Sequence, residues 1–301
     1  MKIILRMANG IGNQLFSYAA AYNIAKKNGA ELLIDDESGF HKRHKYELNN
    51  FKISSKIVDK KYKFKGHFGR LRRRMYKKFS FLNKKLKIVE ETMDKKKFTK
   101  YDPTVFHIKT KKDIYLEGYF QTEKYFKDIK KEILNEFLFK EEIKKKENKF
   151  KDLILKNNSV SIHIRKNKFL SDENHLNREL LNQQNLKFNL NNAKKGIEYF
   201  EKKLTDPIFF IWSDEFEGLR EYFSSEKFIF IDNEHQKNDI YDLYLMSLCK
   251  NFILSPSTFG YWGAFLSTHK QKICLSPPSI KNNSGYYGFS NNQDIKPDWW
   301  V

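Results

Sequence analysis

The chain opens with an apolar strand pattern, a short glycine turn and an apolar pattern of helical period. Residues 2–7 predict a buried strand, and Gly10 and Gly12 lie in the turn that follows it. Apolar side chains then recur three or four positions apart over 15–27, which predicts a helix. A second strand is predicted over 31–34. Strand, turn, helix and strand in this order are typical of a doubly wound α/β domain.

The same alternation restarts in the second half of the chain. Residues 159–165 predict a strand, and further predicted helices and strands alternate towards the C-terminus. The stretch 166–192 is polar and rich in asparagine, which predicts a loop. A run of lysine and glutamate at 140–152 separates the two halves. We therefore expect two α/β domains, 1–150 and 151–301, which face a central cleft where a ligand binds.

Composition adds an excess of positive charge to this picture. The chain of 301 residues has 57 Lys and Arg against 37 Asp and Glu, a formal net charge of +20. A hydrophobic content of 40% and an aromatic content of 16% exclude a disordered polyelectrolyte, because so many rings need a core. The charge is either a solvated lysine surface or the complement of an anionic partner, such as a nucleotide sugar, a phospholipid membrane or nucleic acid.

The cysteines and the longest apolar stretches indicate the compartment. Cys249 and Cys274 lie in apolar surroundings and are predicted to be buried free thiols in a reducing cytosol. No stretch approaches the roughly 20 apolar residues of a membrane-spanning helix, and the apolar N-terminus is too short for a signal peptide. We therefore expect a cytoplasmic protein, either soluble or attached peripherally to the inner face of the cytoplasmic membrane.

Residues 60–87 form a basic segment of unusual composition. Of these 28 residues 13 are Lys or Arg and none is acidic. Apolar side chains recur three or four positions apart within it, which predicts a basic amphipathic helix. The apolar side of this predicted helix consists of Phe64, Phe68, Leu71, Met75, Phe79 and Leu82.

The basic segment has three interpretations. A basic amphipathic helix suits the surface of an anionic membrane. A solvated helix whose apolar side packs on the N-terminal domain fits the same pattern. Interleaved rings and arginines also fit a nucleic-acid-binding protein, which is the rival from another functional class.

Candidate ligand-binding residues gather where predicted strands end, and open α/β sheets bind their ligands there. His163 and Arg165 close one strand and point to the same face of it. A guanidinium at that point suits a diphosphate, which it can bind through two hydrogen bonds. Ser213 and Asp214 follow another predicted strand, where either of them could cap the next helix instead.

Further candidates lie at predicted helix starts. Asp242 either caps its helix or accepts hydrogen bonds from a guanine edge. Ser257 and Thr258 offer hydroxyls beside free N–H groups, which suit a phosphate. The turn Gly12-Asn13-Gln14 lets the backbone approach a phosphate or sugar, or is simply a tight turn. No Asp-x-Asp pair occurs in the sequence, so a leaving diphosphate has to be stabilised by protein cations and helix dipoles rather than by a metal ion.

Five short blocks occur in a fixed order along residues 1–270. They read GIGNQLF at 10–16, EGYFQTEKYF at 117–126, FIWSDE at 210–215, DLYLMSLCK at 242–250 and STFGYW at 257–262. Together they resemble the motifs of the bacterial α-1,2-fucosyltransferases of glycosyltransferase family 11. Each block is modest alone, but five in register make the resemblance specific.

The resemblance implies a GT-B fold, in which two Rossmann-like domains face a cleft. It implies an inverting enzyme that needs no metal cofactor and moves fucose from GDP-fucose to a hydroxyl of a cell-surface glycan, such as capsule or lipopolysaccharide. Residues 1–150 would form the acceptor-side domain, and 151–301 would bind the GDP-sugar. The residues that this resemblance assigns to the donor are Gly12, Asn13, Gln14, His163, Arg165, Ser213, Asp214, Asp242, Ser257 and Thr258.

One block departs from the family. The family's His-x-Arg-Arg-Gly-Asp-Tyr stands here as HIRKNKF at 163–169, so Arg165 is kept while the second arginine is Lys166 and the aspartate is Lys168. The departure leaves three alternatives open: a GDP-sugar other than fucose, such as a GDP-heptose, a relative that binds GDP or glycan without catalysis, or a fucosyltransferase with a rearranged site. Asp172 and Glu173 are the nearest carboxylates and the candidates for a catalytic base.

Overall fold

The computed structural model describes residues 1–40, 44–79, 83, 85–93, 99–166, 178–232, 239–276 and 294–301. The strands are β1 Lys2–Ala8, β2 Glu31–Gly39, β3 Lys56–Ile57, β4 Leu86–Glu90, β5 Asp113–Glu117, β6 Asn158–Ile164, β7 Pro207–Ser213, β8 Phe228–Phe230, β9 Asn251–Ile253 and β10 Cys274–Leu275. The α-helices are α1 Ile11–Lys27, α2 Gly66–Lys78, α3 Lys130–Glu136, α4 Glu141–Lys144, α5 Lys149–Lys156, α6 Arg178–Lys203, α7 Leu219–Tyr222, α8 Asp239–Ser247 and α9 Thr258–Leu266.

The chain divides into two compact units. Unit 1 is Met1–Lys140 together with residues 294–297, and unit 2 begins at Glu141 and includes residues 298–301. The division falls between Lys140 and Glu141, before the predicted boundary at 150. The assignment of one unit to the acceptor and the other to the donor stays a prediction.

Unit 1 is built on a five-stranded parallel sheet with the order β3-β2-β1-β5-β4. The central strand β1 is almost wholly apolar because it has neighbours on both edges, with Ile3 opposite Leu32 of β2 and Ile114 of β5. The helix α1 packs against β1 and is buried along most of its length. It begins at Ile11, earlier than the predicted Leu15, because Gly10 directly precedes its first turn.

Unit 2 repeats this architecture with the order β10-β9-β6-β7-β8, again all parallel. Alternate side chains of β6, including Ile162 and Ile164, enter a core that α6 covers through Ile197 and Phe200. His163 lies between those two isoleucines and therefore points to the opposite face of the sheet. The expected α/β class is thus confirmed in both units.

The predicted loop over 166–192 is wrong for its second part, because α6 begins at Arg178. Asn182, Asn185 and Asn189 are spaced three and four residues apart and are buried along one side of that helix. The side-chain amides of Asn185 and Asn192 donate to the backbone carbonyls of Arg165 and Leu254, which follow β6 and β9. The prediction failed because buried asparagines alternate on this inward face with the apolar Leu186 and Leu190, which pack against the core, and so interrupt the apolar period. Residues 167–177 lie outside the described residues.

The predicted basic helix is shorter than the segment 60–87. It spans α2, Gly66–Lys78, while Phe64 precedes the helix and is buried in the core of unit 1 with Tyr115. The position of Leu82 lies outside the described residues.

Both cysteines are buried and free, as predicted. Burial raises the pKa of the Cys249 thiol, which keeps that sulfur protonated and unreactive at neutral pH. Among the helices of the described ranges, none combines the length and the apolar character that crossing a bilayer demands.

A close approach of α6 to the sheet gives a test of the unit 2 core. A Cβ at Gly196 would lie 2.7 Å from Cδ1 of Ile253. We expect Gly196→Ala to lower the free energy of unfolding, since overpacking costs about 1–3 kcal/mol and the helix propensity of alanine returns only about 1 kcal/mol. Chemical denaturation measures the change. In an Ile253→Ala background the same substitution should be neutral or stabilising, and an equal loss in both backgrounds would contradict this packing.

Candidate functional site

Three strand ends meet at one edge of the unit 2 sheet. The strand β6 lies between β9 and β7, and all three run parallel, so their carboxyl ends share that edge. Ile164 pairs with Ser213 across β6 and β7, and Ile162 pairs with Ile253 across β6 and β9. We call the polar residues at these three ends the carboxyl-edge cluster. It comprises His163, Arg165, Ser213, Asp214, Ser255, Ser257 and Thr258.

His163 connects two of these strand ends. Its Nδ1 lies 3.1 Å from Oγ of Ser255, which follows β9. Its ring centroid lies 5.5 Å from that of Phe259 in the first turn of α9. A Cβ at Gly260 would make an ordinary contact with Nδ1 of His163 at 3.7 Å, so this turn packs directly beside the ring. His163 therefore fixes the start of α9 against the end of β6.

The ring of His163 is neutral at physiological pH. Loss of water around it lowers its pKa to about 4, and the nearby Asp214 carboxylate only partly opposes this effect. A neutral imidazole has one donor and one acceptor nitrogen, so it suits a nucleobase edge better than a phosphate. The assignment of His163 to the donor stays a prediction, and a neutral ring leaves the phosphate to other residues.

Arg165 follows β6 directly and its side chain is exposed. Its backbone is held from α6, where the Asn185 amide donates to the Arg165 carbonyl at 2.8 Å. The same helix fixes the neighbouring strand end, because the Asn192 amide donates to the Leu254 carbonyl at 2.8 Å. The Arg165 guanidinium therefore extends into solvent from a strand end whose backbone α6 holds, and α6 holds the neighbouring strand end at Leu254 as well.

Lys166, at the position of the family's second arginine, holds two strand ends together. The Lys166 ammonium donates to the Glu217 carbonyl at 2.7 Å, and the Lys166 N–H donates to Oδ1 of Asp214 at 2.7 Å. These bonds tie the end of β6 to the loop after β7. Lys166 thus orders the cluster, and Asp214 accepts from the backbone of a neighbouring strand end.

Ser213 and Asp214 do not cap the helix that follows them, so that part of the interpretation is wrong. The N-cap of α7 is Gly218, at a φ of 73° that favours glycine. Ser213 instead closes a local turn, in which its hydroxyl donates to the Glu215 carbonyl at 2.7 Å.

The start of α9 has the features of an anion site. Ser257 caps the helix by accepting the Phe259 N–H at 3.2 Å, and Thr258 is the first helical residue. The first turn contains no acidic residue. A nine-residue helix with such a start presents N–H groups and the positive end of its dipole to a bound anion. Asp242 is half-buried in the first turn of α8, which packs against α9.

The turn residues of unit 1 have a different role. Gln14 is fully buried, and its amide donates to the carbonyls of Asn9 and Lys45, both at 2.8 Å, and accepts the Glu47 N–H at 3.0 Å. Every polar atom of this side chain therefore holds backbone rather than facing a ligand. The assignment of Gln14 to the donor stays a prediction, and the geometry favours a structural role.

The other two turn residues lie in the first turn of α1. Gly12 is buried, while Asn13 is half-buried and its Oδ1 accepts from the Gln121 amide at 2.6 Å. Gln121 follows β5, the strand beside β1, so this pair marks the carboxyl ends of two neighbouring strands. Strand order also reverses at this point of the sheet, where α/β folds bind ligands.

Sequence reasoning missed several residues of the site. They are Ser255, Asn185, Asn192 and Gln121. The three-and-four spacing of asparagines in 182–192 was a signal for the α6 contacts. Ser255 had none beyond its place after a strand.

Other predictions find no test in the structure. Asp172 and Glu173 lie outside the described residues. In the described part of the chain, His, Cys, Asp and Glu form no group of three or more that could hold a metal ion. The expectation of a metal-independent reaction stays a prediction.

Gln14 offers a test that separates structure from binding. We expect Gln14→Leu to lower the free energy of unfolding by about 2–3 kcal/mol, because it removes three hydrogen bonds at a buried position. Thermal and chemical unfolding measure this loss. The matched control is Gln183→Leu, at an exposed position of α6, which should change stability little. Unchanged stability of the Gln14 variant would show that these bonds do not hold the turn.

His163 offers a pH test. The unfolded chain binds a proton on this ring below pH 6.5, whereas the folded chain does so only near pH 4. Stability should therefore fall as pH drops from about 6.5 towards 4, by at most about 1.4 kcal/mol for each pH unit from this group. His163→Asn removes that contribution, so the difference between variant and wild type in urea denaturation should shrink over this range. A difference that is independent of pH would contradict the neutral, largely desolvated ring.

Known proteins resemble the chain over its full length. The sequence model of the family described as Glycosyl transferase family 11 matches residues 2–301. The O-antigen biosynthesis glycosyltransferase WbnK of Escherichia coli is 26% identical, over 98% of this chain and 98% of its own. The alpha-1,2-colitosyltransferase of Escherichia coli is 27% identical, over 99% of this chain and 98% of its own.

The fold of this chain resembles that of a fucosyltransferase of known structure. The fucosyltransferase NodZ from Bradyrhizobium aligns with a TM-score of 0.53 at 15% identity, over 91% of this chain and 94% of its own. With a parallel sheet in each unit, this likeness confirms the expected α/β fold of GT-B type. The family match also confirms the predicted class of enzyme. The chain therefore belongs to glycosyltransferase family 11 and is a glycosyltransferase.

Proposed function

We propose that this glycosyltransferase moves fucose, or a related GDP-linked sugar, from the GDP-sugar to a hydroxyl of a cell-surface glycan such as capsule or lipopolysaccharide. The printed names of its relatives support this: one is an O-antigen biosynthesis glycosyltransferase and another transfers colitose in an α-1,2 linkage. NodZ was co-crystallised with GDP, which supports the nucleotide. The identity of the acceptor glycan and the identity of the donor sugar are both part of what we propose.

The observation on which the proposal rests is the carboxyl-edge cluster. One exposed guanidinium, one neutral imidazole and one capped helix start are held at adjoining strand ends, at Arg165, His163 and Thr258. A nucleoside diphosphate has one base and two phosphates, and it needs a neutral hydrogen-bonding group for the first and positive charge for the second. The cluster offers both within one edge of unit 2.

The reaction is a single displacement. The oxygen of an acceptor hydroxyl bonds to the anomeric carbon while the bond from that carbon to the β-phosphate oxygen breaks. The electron pair of the broken bond leaves with GDP, and the hydroxyl proton passes to a base. The configuration at the anomeric carbon inverts because the acceptor attacks opposite the leaving group.

Negative charge grows on the β-phosphate as the bond breaks. In the proposed site Arg165 and the N–H groups at the start of α9 stabilise that charge. The N–H groups of α9 are fixed before the reaction because His163 packs against the start of that helix, and the Arg165 guanidinium extends from a backbone that Asn185 holds. A fixed charge is worth more to a transition state than one that has to reorient.

Two parts of the mechanism rest on sequence alone. Asp172 and Glu173 remain the proposed candidates for the base that takes the proton. We also propose that no metal ion takes part, since positive charge for the leaving group comes from the protein.

We propose in addition that the protein works at the inner face of the cytoplasmic membrane, where it reaches lipid-linked acceptors without crossing the bilayer. The acid-free basic segment 60–87 supports this, because the cytoplasmic leaflet is anionic.

Removing Arg165 tests the donor site. We expect Arg165→Ala to lower kcat about 10²–10³-fold, which is typical when one preorganised charge contact to a transition state is lost. Arg165→Lys should retain part of the activity, since it keeps the charge but not the paired hydrogen bonds. Transfer from candidate GDP-sugars, followed as GDP release, measures the effect.

The matched control is Lys203→Ala. It removes an exposed cation from the last turn of α6, just before β7 begins at the opposite edge of the same sheet. This variant should keep wild-type turnover. Near-normal turnover of Arg165→Ala would overturn the assignment, and tight GDP binding by wild type without transfer of any GDP-sugar would favour the non-catalytic relative.

A further inference from the structure

A stripe of apolar side chains on α2 faces solvent. Phe68, Leu71, Met75 and Phe79 are 89%, 56%, 53% and 40% exposed, and we call these four residues the α2 stripe. They are spaced three and four residues apart, so they lie along one side of the helix. An amphipathic helix of a soluble domain normally turns this side to the core. Here the expected packing of the apolar side on unit 1 does not occur for the described residues of the stripe.

The other side of α2 contacts unit 1 through three cations and one aromatic ring, because Tyr76 packs there against Phe64. Gly69, Arg72, Arg73, Tyr76 and Lys77 are the partly buried residues of the helix, and their separations of three, one, three and one residues also place them along one side. Gly69 allows the contact, because a Cβ there would lie 2.3 Å from the carbonyl carbon of Phe64. The helix therefore directs Arg72, Arg73 and Lys77 inward beside Tyr76, while the four apolar side chains of the stripe point outward.

Strong polar contacts hold α2 in this orientation. Arg73 donates twice to the buried Glu117 carboxylate, at 2.5 and 2.6 Å, and Lys77 lies 3.2 Å from the same carboxylate. Burial alone would raise the pKa of Glu117, but the Arg73 guanidinium holds that pKa below its ordinary value. Rotating the stripe inward would leave a buried carboxylate without its partners, which is a large penalty.

Arg72 makes a second contact between α2 and unit 1, beside the contact of Arg73 with Glu117. Arg72 donates to the Lys63 carbonyl at 2.6 Å, and its guanidinium lies 4.8 Å from the ring centroid of Phe64. Phe64 is buried in the core of unit 1, so Arg72 links α2 to that core. The exposed stripe is therefore a fixed surface of the folded unit.

Cations flank the stripe on the exposed side. Arg70, Arg74 and Lys78 are exposed, and together with His67 they border the apolar side chains. A shallow surface hollow has both kinds of side chain in its lining, with His67, Arg70 and Arg74 next to Phe68 and Leu71. No residue of α2 is acidic. Apolar side chains bordered by cations match the boundary between acyl chains and anionic headgroups of a bilayer.

We propose that the α2 stripe docks on an anionic phospholipid bilayer, with Phe68, Leu71 and Met75 entering the acyl boundary and Arg70 and Arg74 contacting headgroup phosphates. This inference rests on the proposed peripheral location and names the side chains that make the contact. A second copy of the chain is a poorer occupant, because pairing two such helices brings like charges together. Nucleic acid is poorer too, because Arg72 and Arg73 are bound inside unit 1 and the centre of the exposed surface is apolar.

Co-sedimentation of the full chain with vesicles tests the proposal. We expect wild type to bind vesicles of phosphatidylglycerol and phosphatidylethanolamine, to bind phosphatidylcholine vesicles weakly, and to release as salt rises. The variant Phe68→Gln, Leu71→Gln, Met75→Gln should bind the anionic vesicles at least about tenfold more weakly. The variant Arg70→Gln, Arg74→Gln should lose about fivefold for each charge and much of the preference for anionic lipid.

A matched triple variant controls for surface hydrophobicity. Leu153→Gln, Leu155→Gln, Leu180→Gln replaces three leucines of unit 2 that are 39%, 48% and 52% exposed, and it should bind vesicles like wild type. All variants should unfold at the wild-type temperature, since the changed side chains are exposed.

Failures of the two proposals are distinguishable. Wild-type binding that the α2 stripe variant retains would overturn the stripe and leave the membrane location standing. No binding by wild type would overturn both, while GDP-sugar transfer to a soluble acceptor would still test the donor site. If wild type forms dimers and only the stripe variant abolishes them, the α2 stripe binds a second copy of the chain instead of a bilayer. If wild type binds single-stranded DNA tightly and vesicles do not displace it, the α2 stripe binds nucleic acid instead.

Discussion

The parallel order of the unit 2 sheet is the constraint on which the proposed chemistry depends. Because β6 lies between β9 and β7 and all run the same way, residues far apart in sequence reach one edge. The contact between His163 and Ser255 spans two of these strand ends, and the bond from the Lys166 backbone to Asp214 spans the third. If either neighbour of β6 ran in the opposite direction, these groups would separate to opposite edges of the sheet.

Asparagines on α6 and the lysine after β6 make this edge rigid. Where many α/β domains cover the sheet with aliphatic side chains alone, α6 directs amides at the carbonyls of Arg165 and Leu254. Lys166, which stands where the family has its second arginine, donates a hydrogen bond from its ammonium to the Glu217 carbonyl. The altered motif therefore keeps one cation, Arg165, exposed at the strand end and uses the next one to hold the loop. On α2 another cation has a structural role, because Arg73 donates two hydrogen bonds to the buried Glu117 carboxylate.

Much of the fold followed from the sequence, because strands and helices have distinct apolar periods. The helix start at Thr258 and the α/β class were predicted correctly, and the strand predicted over 159–165 is displaced by one residue from the observed Asn158–Ile164. The failures at α6 and α2 share one physical cause: both helices direct polar residues inward, and hydropathy does not identify a side chain whose burial is compensated by hydrogen bonds. The cluster at the carboxyl edge was predictable as separate strand ends, but the bond from His163 to Ser255 depends on sheet order, which the sequence did not specify.

The most direct test of the donor site is hydrogen–deuterium exchange of the full chain with and without GDP. The N–H groups of Thr258 and Gly260 lie in the open first turn of α9, so a phosphate bound there should slow their exchange. We expect saturating GDP to protect the backbone over 163–166 and 257–261, and to leave the strand starts at the opposite edge, around Pro207 and Phe228, unchanged. GDP that binds without slowing exchange at the start of α9 would contradict the proposed site.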